Sequence, residues 1–186
     1  LVCRSMARKG KCIQAVVLSA GETGIGTIRC LGKAGINSAA ILGSARDYGA
    51  HSRLPAETVV IDNAKRFSDA VLEALKPYEN QGCVLIATSD AYAFFVAEHY
   101  DYVNGHFLFL GPGAETLRKL VDKKAEFELA RAQGIPVPKS ISAPEPGAEW
   151  ILERLALPII FKPKAHFDNV LGDKNIVVHT RAELDA

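Results

Sequence analysis

The chain has 186 residues, of which 48% are hydrophobic and 23% are charged, and this balance is typical of a globular protein with a hydrophobic core. The formal net charge is +1, so no overall electrostatic field would recruit nucleic acid or an anionic membrane. No apolar run approaches the roughly 20 residues of a membrane-spanning helix. We therefore expect a cytoplasmic protein whose partners are small molecules, with no nucleic-acid or membrane partner.

The cysteines and histidines show no metal-binding pattern. The four cysteines, Cys3, Cys12, Cys30 and Cys83, lack CxxC or metal-ligand spacing, and the five histidines are equally scattered. We expect reduced thiols and no metal site in this chain.

From the two ends of the sequence we expect an irregular lead-in before the first strand and a C-terminal end at which the protein is cut short. The first residue is Leu1, whereas the first predicted strand begins only near Ile13. At the other end, Thr180 and Glu183 have the spacing of a capping box, which predicts that a helix begins just before the sequence stops.

Residues 13–113 alternate apolar strands with amphipathic helices. Five strands are predicted, over residues 13–19, 38–42, 58–61, 83–88 and 107–110. Helical patterns lie between them, and parallel strands need such crossovers. The predicted fold class is therefore α/β, with an open, doubly wound, Rossmann-like parallel sheet in a first domain over residues 13–113.

A glycine-rich turn, Gly21-x-x-Gly24-x-Gly26, joins the first strand to the first helix, and Gly35 is predicted to end that helix. The spacing differs from the G-x-G-x-x-G dinucleotide fingerprint, and no acidic residue ends the second strand. Two interpretations remain open. The turn and the helix N-terminus could hold a small anion through free N–H groups, or the glycines could serve only the tight turn.

Polar residues follow the second and fourth strands, where ligands of parallel sheets usually bind. Arg53 and its neighbours Arg46 and His51 lie in the loop after the second strand, and an arginine there could grip a carboxylate. Ser89 and Asp90 follow the fourth strand. Solvated loop charges and a simple helix cap are the alternatives.

Residues 114–186 have a different character and predict a second, smaller α+β domain. Two helical patterns meet at Asp122-Lys123, Gly134 ends the second, and Pro136 and Pro138 stiffen the exit. An apolar strand over residues 158–161 ends on Lys162, and residues 176–179 form a partner strand. The two strands predict a β-hairpin around a polar loop, residues 165–175.

Lys162 has an unusual context for a lysine. The three residues before it, 159–161, are all apolar, which predicts a buried strand, and Pro163 follows directly. A cation fixed at the end of such a strand would bind an anion, and a polyphosphate fits best. A solvated surface charge is the alternative for this lysine and for Lys123.

Taken in order, the motifs of the second region resemble the ATP-grasp superfamily. The resemblance is carried by Leu120-x-Asp122-Lys123, by Gly134-Ile-Pro-Val-Pro138 and by Pro158-Ile-Ile-Phe-Lys162-Pro163-Lys164, behind a doubly wound domain. It is strongest to carboxylate–amine ligases of the D-aspartate ligase type and extends to those of the carbamoyl-phosphate synthetase type. The glycine-rich turn, Ser52-Arg53 and Ser89-Asp90 also match, and the similarity covers roughly residues 13–184.

The resemblance implies an ATP-dependent ligase that activates a carboxylate as an acyl phosphate and joins it to an amine. It implies ATP and Mg²⁺ as cofactors, phosphate contacts from Lys123, Lys162 and Lys164, and a pre-ATP-grasp domain followed by the first ATP-grasp subdomain. It places carboxylate-substrate contacts at four residues of the first domain: Gly24, Arg53, Ser89 and Asp90.

The resemblance also implies what this chain lacks. The adenine-binding hinge and the Mg²⁺-binding carboxylates of the family lie further along the chain, so we expect the 186 residues alone to be inactive. The family's phosphate-covering loop is often glycine-rich, whereas residues 165–175 contain one glycine, and Lys164 or Lys174 could substitute by charge. No catalytic residue is assigned, and a homodimer is possible.

Two other functions are compatible with the sequence. One is a non-catalytic small-ligand or nucleotide-binding α/β module that uses the same sheet crevice. The other is a Rossmann NAD(P)-binding protein, which the altered glycine spacing and the missing acidic residue disfavour.

Overall fold

The structure is a computed structural model that describes residues 12–142, 147–162 and 175–185. Its backbone divides into two compact units, Leu1–Leu117 and Arg118–Ala186, and the division falls within a helix. The two units are described separately below.

The first unit is a parallel four-stranded sheet with the strand order β3-β2-β1-β4. Its strands are β1 Ala15–Leu18, β2 Ser38–Leu42, β3 Glu57–Val60 and β4 Val84–Ala87. Its helices are α1 Glu22–Lys33, α2 Phe67–Leu75, α3 Asp90–Glu98 and α4 Tyr100–His106. The predicted α/β class with a doubly wound parallel sheet is confirmed.

The two faces of the sheet carry separate hydrophobic clusters, because neighbouring residues of a strand point to opposite faces. In β1, Val16 and Leu18 belong to the larger cluster, together with residues of α2 and α3. Val17 belongs to the smaller cluster with Ile28 of α1. Helices therefore cover both faces, which explains why β1 and β2 are apolar at every position or nearly so.

The fifth predicted strand, over residues 107–110, is reduced to a single bridge. Leu108 lies opposite Val84 in parallel orientation, and its N–H donates to the Cys83 carbonyl at 2.9 Å. Leu108 is 51% exposed and Leu110 is 94% exposed, so burial does not favour a longer ladder. Pro112, which follows, also has no N–H to donate.

Glycines in the left-handed conformation end the two helices whose ends the sequence predicts. Gly35 has φ +73° and Gly134 has φ +70°, a region that residues with a side chain rarely adopt. After each glycine the next N–H bonds back across the helix end, from Ile36 to the Leu31 carbonyl at 2.9 Å and from Ile135 to the Ala130 carbonyl at 2.9 Å. Both ends are thus Schellman motifs.

The second unit combines short helices with a two-stranded sheet. Its elements are α5 Ala114–Val121, which crosses the division, and α6 Lys123–Ala132, α7 Ala148–Leu152, β5 Ile159–Phe161, β6 Ile176–Val178 and α8 Arg181–Asp185. Strands β5 and β6 pair in antiparallel orientation, with Phe161 opposite Ile176. The predicted pairing of these two strands is confirmed.

The predicted capping box at the start of α8 is also confirmed. The Glu183 N–H donates to the Thr180 hydroxyl at 3.3 Å, and the Glu183 carboxylate accepts from the His179 N–H at 2.8 Å. This exchange satisfies N–H groups that a helix start leaves unpaired.

Two further observations concern the predicted environment of the chain. Within the described residues, no helix is both long enough and apolar enough to cross a membrane. Cys30 and Cys83 are free thiols, whereas Cys12 is disulfide-bonded. The prediction of reduced thiols is therefore wrong for Cys12, because the spacing of cysteines in a sequence does not by itself show which of them pair.

Candidate functional site

The carboxyl ends of β1 and β4 form the topological switch point of the sheet. These strands are neighbours, yet α1 packs on one face and α3 on the other. The loops that leave them therefore diverge and create the crevice in which ligands of open parallel sheets bind. Gly24, Ser89 and Asp90, three of the four predicted substrate residues, follow these two strands.

Gly24 lies in the first turns of α1 and is closely packed. A Cβ atom at this position would lie 2.3 Å from the Ser19 carbonyl oxygen and 2.8 Å from the Thr88 hydroxyl oxygen. Only glycine lets α1 approach the ends of β1 and β4 this closely. This contact gives Gly24 a packing role, and its contact with a substrate remains a prediction.

Thr88 is part of the switch point and was not identified from the sequence. Its hydroxyl donates to the Leu18 carbonyl at 2.9 Å and contacts the Ser19 carbonyl at 3.2 Å. Ser19 itself has φ +74°, which is uncommon for a residue other than glycine. The Thr88 hydroxyl thus joins the end of β4 to a sharply turned end of β1. Its partners are about 70 residues away in sequence, so no local pattern reveals it.

Ser89 and Asp90 begin α3 as the sequence predicts, but the predicted side-chain cap is not formed. Ser89 occupies the N-cap position in extended conformation and makes no capping hydrogen bond with its side chain. Asp90 is the first helical residue, where its charge is favourable to the helix dipole. Neither side chain makes a hydrogen bond or an ion pair with another described residue, and both residues are partly exposed.

The loop after β2, residues 43–53 (the 43–53 loop), is anchored to the loop after β1. The Asp47 carboxylate accepts hydrogen bonds from the Gly43 N–H at 3.1 Å and the Ser44 N–H at 3.2 Å. The Gly49 N–H donates to the Ala20 carbonyl at 3.0 Å, and a Cβ at Gly49 would lie 2.2 Å from the Ala20 side chain. These contacts hold the loop at the carboxyl edge of the sheet.

Arg53, the fourth predicted substrate residue, is on this anchored loop and is exposed, as are Arg46 and His51. Within the described residues, the three side chains make no hydrogen bond and no ion pair. The loop therefore presents cationic groups that a carboxylate could bind, although the structure does not bring Arg53 into contact with Gly24, Ser89 or Asp90.

Lys123 opens α6 in the second unit, beside a strong cap. The Asp122 carboxylate accepts from the Lys124 N–H at 2.9 Å and the Ala125 N–H at 3.1 Å. The Lys123 ammonium pairs with Glu126 at 2.9 Å while 40% of its side chain stays exposed. Because Asp122 already occupies the helix N-terminus, an anion near α6 would be held by the lysine side chain and not by backbone N–H groups.

Lys162 directly follows β5 and is exposed. The predicted burial of its strand is confirmed for Ile159, which is 6% exposed, but not for Ile160, which is 55% exposed. The reason lies in the pairing, which places Ile160 opposite Val177, and Val177 is also 46% exposed. A two-stranded sheet covered on one face leaves the alternate side chains uncovered, and an apolar run does not show which case applies.

Part of the predicted phosphate site falls outside the described residues. Lys164 and Lys174 lie outside the described residues, as does all of the 165–175 loop except Asn175. In the described part of the chain, no group of three or more histidine, cysteine, aspartate or glutamate side chains could hold a metal ion.

The sequence matches no protein-family model and no curated protein, whereas the fold matches many solved structures. One is N5-carboxyaminoimidazole synthetase from Staphylococcus aureus complexed with ADP, with a TM-score of 0.67 and 17% identity over 92% of this chain. Another is L-amino acid ligase from Bacillus licheniformis, with a TM-score of 0.59 and 12% identity over 96% of this chain.

A third match is the biotin carboxylase domain of 2-oxoglutarate carboxylase from Hydrogenobacter thermophilus, with MgADP, ADP and bicarbonate. Its TM-score is 0.55, with 20% identity over 92% of this chain. The chain spans 43%, 41% and 39% of the three matched chains, in the order given. At these identities the likeness concerns the fold. The chain thus has the fold of the N-terminal part of ATP-grasp ligases.

Proposed function

We propose that this chain is the N-terminal portion of an ATP-dependent carboxylate–amine ligase. The observation that carries the proposal is the fold match, which extends over more than nine-tenths of the chain and includes both units. The solved structures with this fold include a ligase of L-amino acids and enzymes bound to ADP. In such a ligase, ATP converts the carboxylate to an acyl phosphate, and the amine then displaces the phosphate.

Lys123 and Lys162 are proposed to contact the ATP phosphates. Both belong to the second unit, and Lys162 is exposed while Lys123 is partly exposed, so a polyphosphate can reach them without unfolding a core. Positioned cations stabilise the charge that develops on a transferring phosphoryl group and its bridging oxygen. Lys123 would exchange its ion pair with Glu126 for a phosphate oxygen, and this exchange involves little energy because the pair is solvent-exposed.

The exposed face of the β5–β6 sheet is proposed to receive the rest of the nucleotide. Ile160 and Val177 form an uncovered apolar surface on this sheet, and Lys162 lies two residues after Ile160. A flat ring above the two side chains and a phosphate at the lysine would suit a nucleotide, which is part aromatic and part anionic.

The carboxyl edge of the first unit is proposed to bind the carboxylate substrate. Arg53 supplies a planar, permanently charged fork that matches a carboxylate. Ser89 and Asp90 would contribute polar contacts from the start of α3, and Gly24 would keep α1 close enough to complete the crevice.

Magnesium does not fit the described residues, which contain no cluster of candidate metal ligands. We therefore propose that the Mg²⁺-binding carboxylates lie outside this chain. Phosphoryl transfer without the metal loses its main charge neutraliser, so the 186-residue chain alone is proposed to be inactive. A cytoplasmic location and a homodimer complete the proposal.

The proposal is tested by assaying the protein encoded by the complete reading frame. We expect ADP and phosphate release from ATP only when a carboxylate and an amine, drawn from a panel of amino acids and small organic acids, are both present. We expect the isolated chain to release none. Amide formation by the isolated chain would disprove its inactivity, and substrate-independent behaviour of the complete protein would favour a non-catalytic nucleotide-binding module.

A further inference from the structure

The hydroxyl of Tyr92 lacks a partner in the core of the first unit. Tyr92 lies on α3 with 4% of its surface exposed, and among the described residues its enclosed hydroxyl has no hydrogen-bond partner. The ring is held by packing, with Phe67 at 5.1 Å between ring centroids in an edge-on arrangement. A buried hydroxyl without an acceptor is unfavourable and rare in native proteins. Another residue of similar size, phenylalanine, would serve the packing alone.

The Tyr92 hydroxyl faces the 43–53 loop at Gly43. A Cβ atom on Gly43 would lie 3.9 Å from the Tyr92 hydroxyl oxygen and 3.9 Å from the Asp47 carboxylate oxygen Oδ2. Both polar atoms therefore border the same small space beside the loop backbone. Burial raises the pKa of Tyr92, and the charge of Asp47 raises it further, so the hydroxyl stays protonated and able to donate.

The Asp47 carboxylate can accept a further hydrogen bond from the Tyr92 hydroxyl. Its Oδ2 atom accepts the Gly43 and Ser44 N–H groups, and an ionised carboxylate offers about four acceptor positions on its two oxygens. A small movement of the loop would bring the carboxylate within reach of the hydroxyl while its backbone bonds remain.

We propose that Tyr92 is a positioning residue whose hydroxyl donates a hydrogen bond to Asp47 and thereby fixes the 43–53 loop. The proposed bond requires only this movement of the loop and does not require substrate. The bond holds Arg53 in place to bind the carboxylate. This role rests on the proposed function. Tyr92 does not itself contact the substrate.

The first test is a double-mutant cycle on the chain itself, followed by urea unfolding. The variants are Tyr92→Phe, Asp47→Asn and the two combined, and Tyr48→Phe is the control because it removes an exposed hydroxyl from the same loop. For the unfolding equilibrium constant, we expect the change in the double variant to differ by about threefold or more from the product of the changes in Tyr92→Phe and Asp47→Asn. Coupling smaller than twofold would overturn the proposal.

The second test uses the complete protein with the carboxylate substrate found for it. Tyr92→Phe and Asp47→Asn should each raise KM for the carboxylate about tenfold, with no further rise in the double variant and little change in kcat or in KM for ATP. Tyr48→Phe should leave every constant unchanged. Unchanged KM in Tyr92→Phe would overturn the inference alone. Absence of ligation in every variant would refute the proposed function, and the unfolding cycle would then decide the inference.

Discussion

The two units differ in how their folds are stabilised. The first contains two hydrophobic clusters on opposite faces of its sheet, with many side chains completely buried. In the second unit the buried hydrophobic residues among those described are few, namely Val121, Ile151, Ile159 and Val178, and α6 buries none. Burial of apolar surface is the main driving force of folding, so the first unit should be the more stable.

The second unit depends more on local devices at helix ends. Asp122 caps α6 at its start, Gly134 ends it, and Thr180 with Glu183 caps α8. Each device is worth on the order of 1 kcal/mol. The same unit carries both lysines of the proposed phosphate site. We infer that the second unit is the more easily deformed of the two.

Urea unfolding can test this contrast directly, because the spectroscopic probes are separated. The chain has a single tryptophan, Trp150, in the second unit, and all five tyrosines lie in the first. We expect Trp150 fluorescence to change at a lower urea concentration than tyrosine absorbance. A single coincident transition for both probes would show that the units unfold together.

Gly24→Ala should produce the largest single effect. The added Cβ would lie 2.3 Å from the backbone oxygen of Ser19, and backbone cannot move away as a flexible side chain can. We expect the first unit to lose roughly 2–4 kcal/mol, at the upper end of overpacking costs or beyond. The matched control is Gly26→Ala in the same helix, where nothing lies within 4 Å, and it should gain up to about 1 kcal/mol from helix propensity.

Tyr78→Phe should have a smaller effect, which depends on pH. The Tyr78 hydroxyl donates to the Glu57 carboxylate at 2.8 Å, and losing such a bond costs about 1.5–3 kcal/mol. Burial first, and then Glu57, raises the pKa of Tyr78 in the folded state. A raised folded pKa favours the protonated form, so the contribution is complete below the unfolded pKa of about 10 and is lost as pH rises above it.

The free energy of unfolding of the first unit should therefore decline in alkaline solution. This decline should be less steep in Tyr78→Phe than in the unmodified chain. Trp150 fluorescence should be nearly insensitive to the same change. An equal alkaline loss in Tyr78→Phe and in the unmodified chain would contradict the assignment.

Asp122→Ala should cost about 1 kcal/mol, because two N–H groups at the start of α6 lose their acceptor. Asp122→Asn should restore most of the loss, since asparagine is an equally good N-cap. The Trp150 transition should shift while the tyrosine transition stays in place. A shift of the tyrosine transition alone would place the effect in the first unit and would contradict the assignment of this cap to the second.

The sequence predicted best what local patterns determine. The apolar runs of β1 and β2, the glycine stops at Gly35 and Gly134, and the capping box at Thr180 each depend on a few neighbouring residues. The fifth predicted strand is reduced to a single bridge, because an apolar run does not reveal whether a neighbouring surface will bury it. The same limit explains the error for β5, where Ile160 is exposed.

The candidate site was only partly predictable for a related reason. The glycine pattern identified Gly24, but the contact that requires glycine involves Thr88, whose bonds to β1 span about 70 residues. The space shared by Tyr92, Gly43 and Asp47 likewise exists only after β2 and α3 are packed. Residues whose roles depend on distant partners carry no local signal, whereas Lys123 and Lys162 could be proposed from the sequence because their own neighbours are distinctive.

Nucleotide binding by the 186-residue chain tests the central claim most directly. A fluorescent ATP analogue, competed with unlabelled ATP, should bind weakly to the unmodified chain and at least about tenfold more weakly to Lys162→Ala, since a bond to a charged phosphate is worth about 1.5–3 kcal/mol. Lys139→Ala, which removes another exposed lysine of the second unit, should bind as the unmodified chain does. Equal affinity in Lys162→Ala, or no saturable binding at all, would contradict a phosphate-binding role for Lys162 in the second unit.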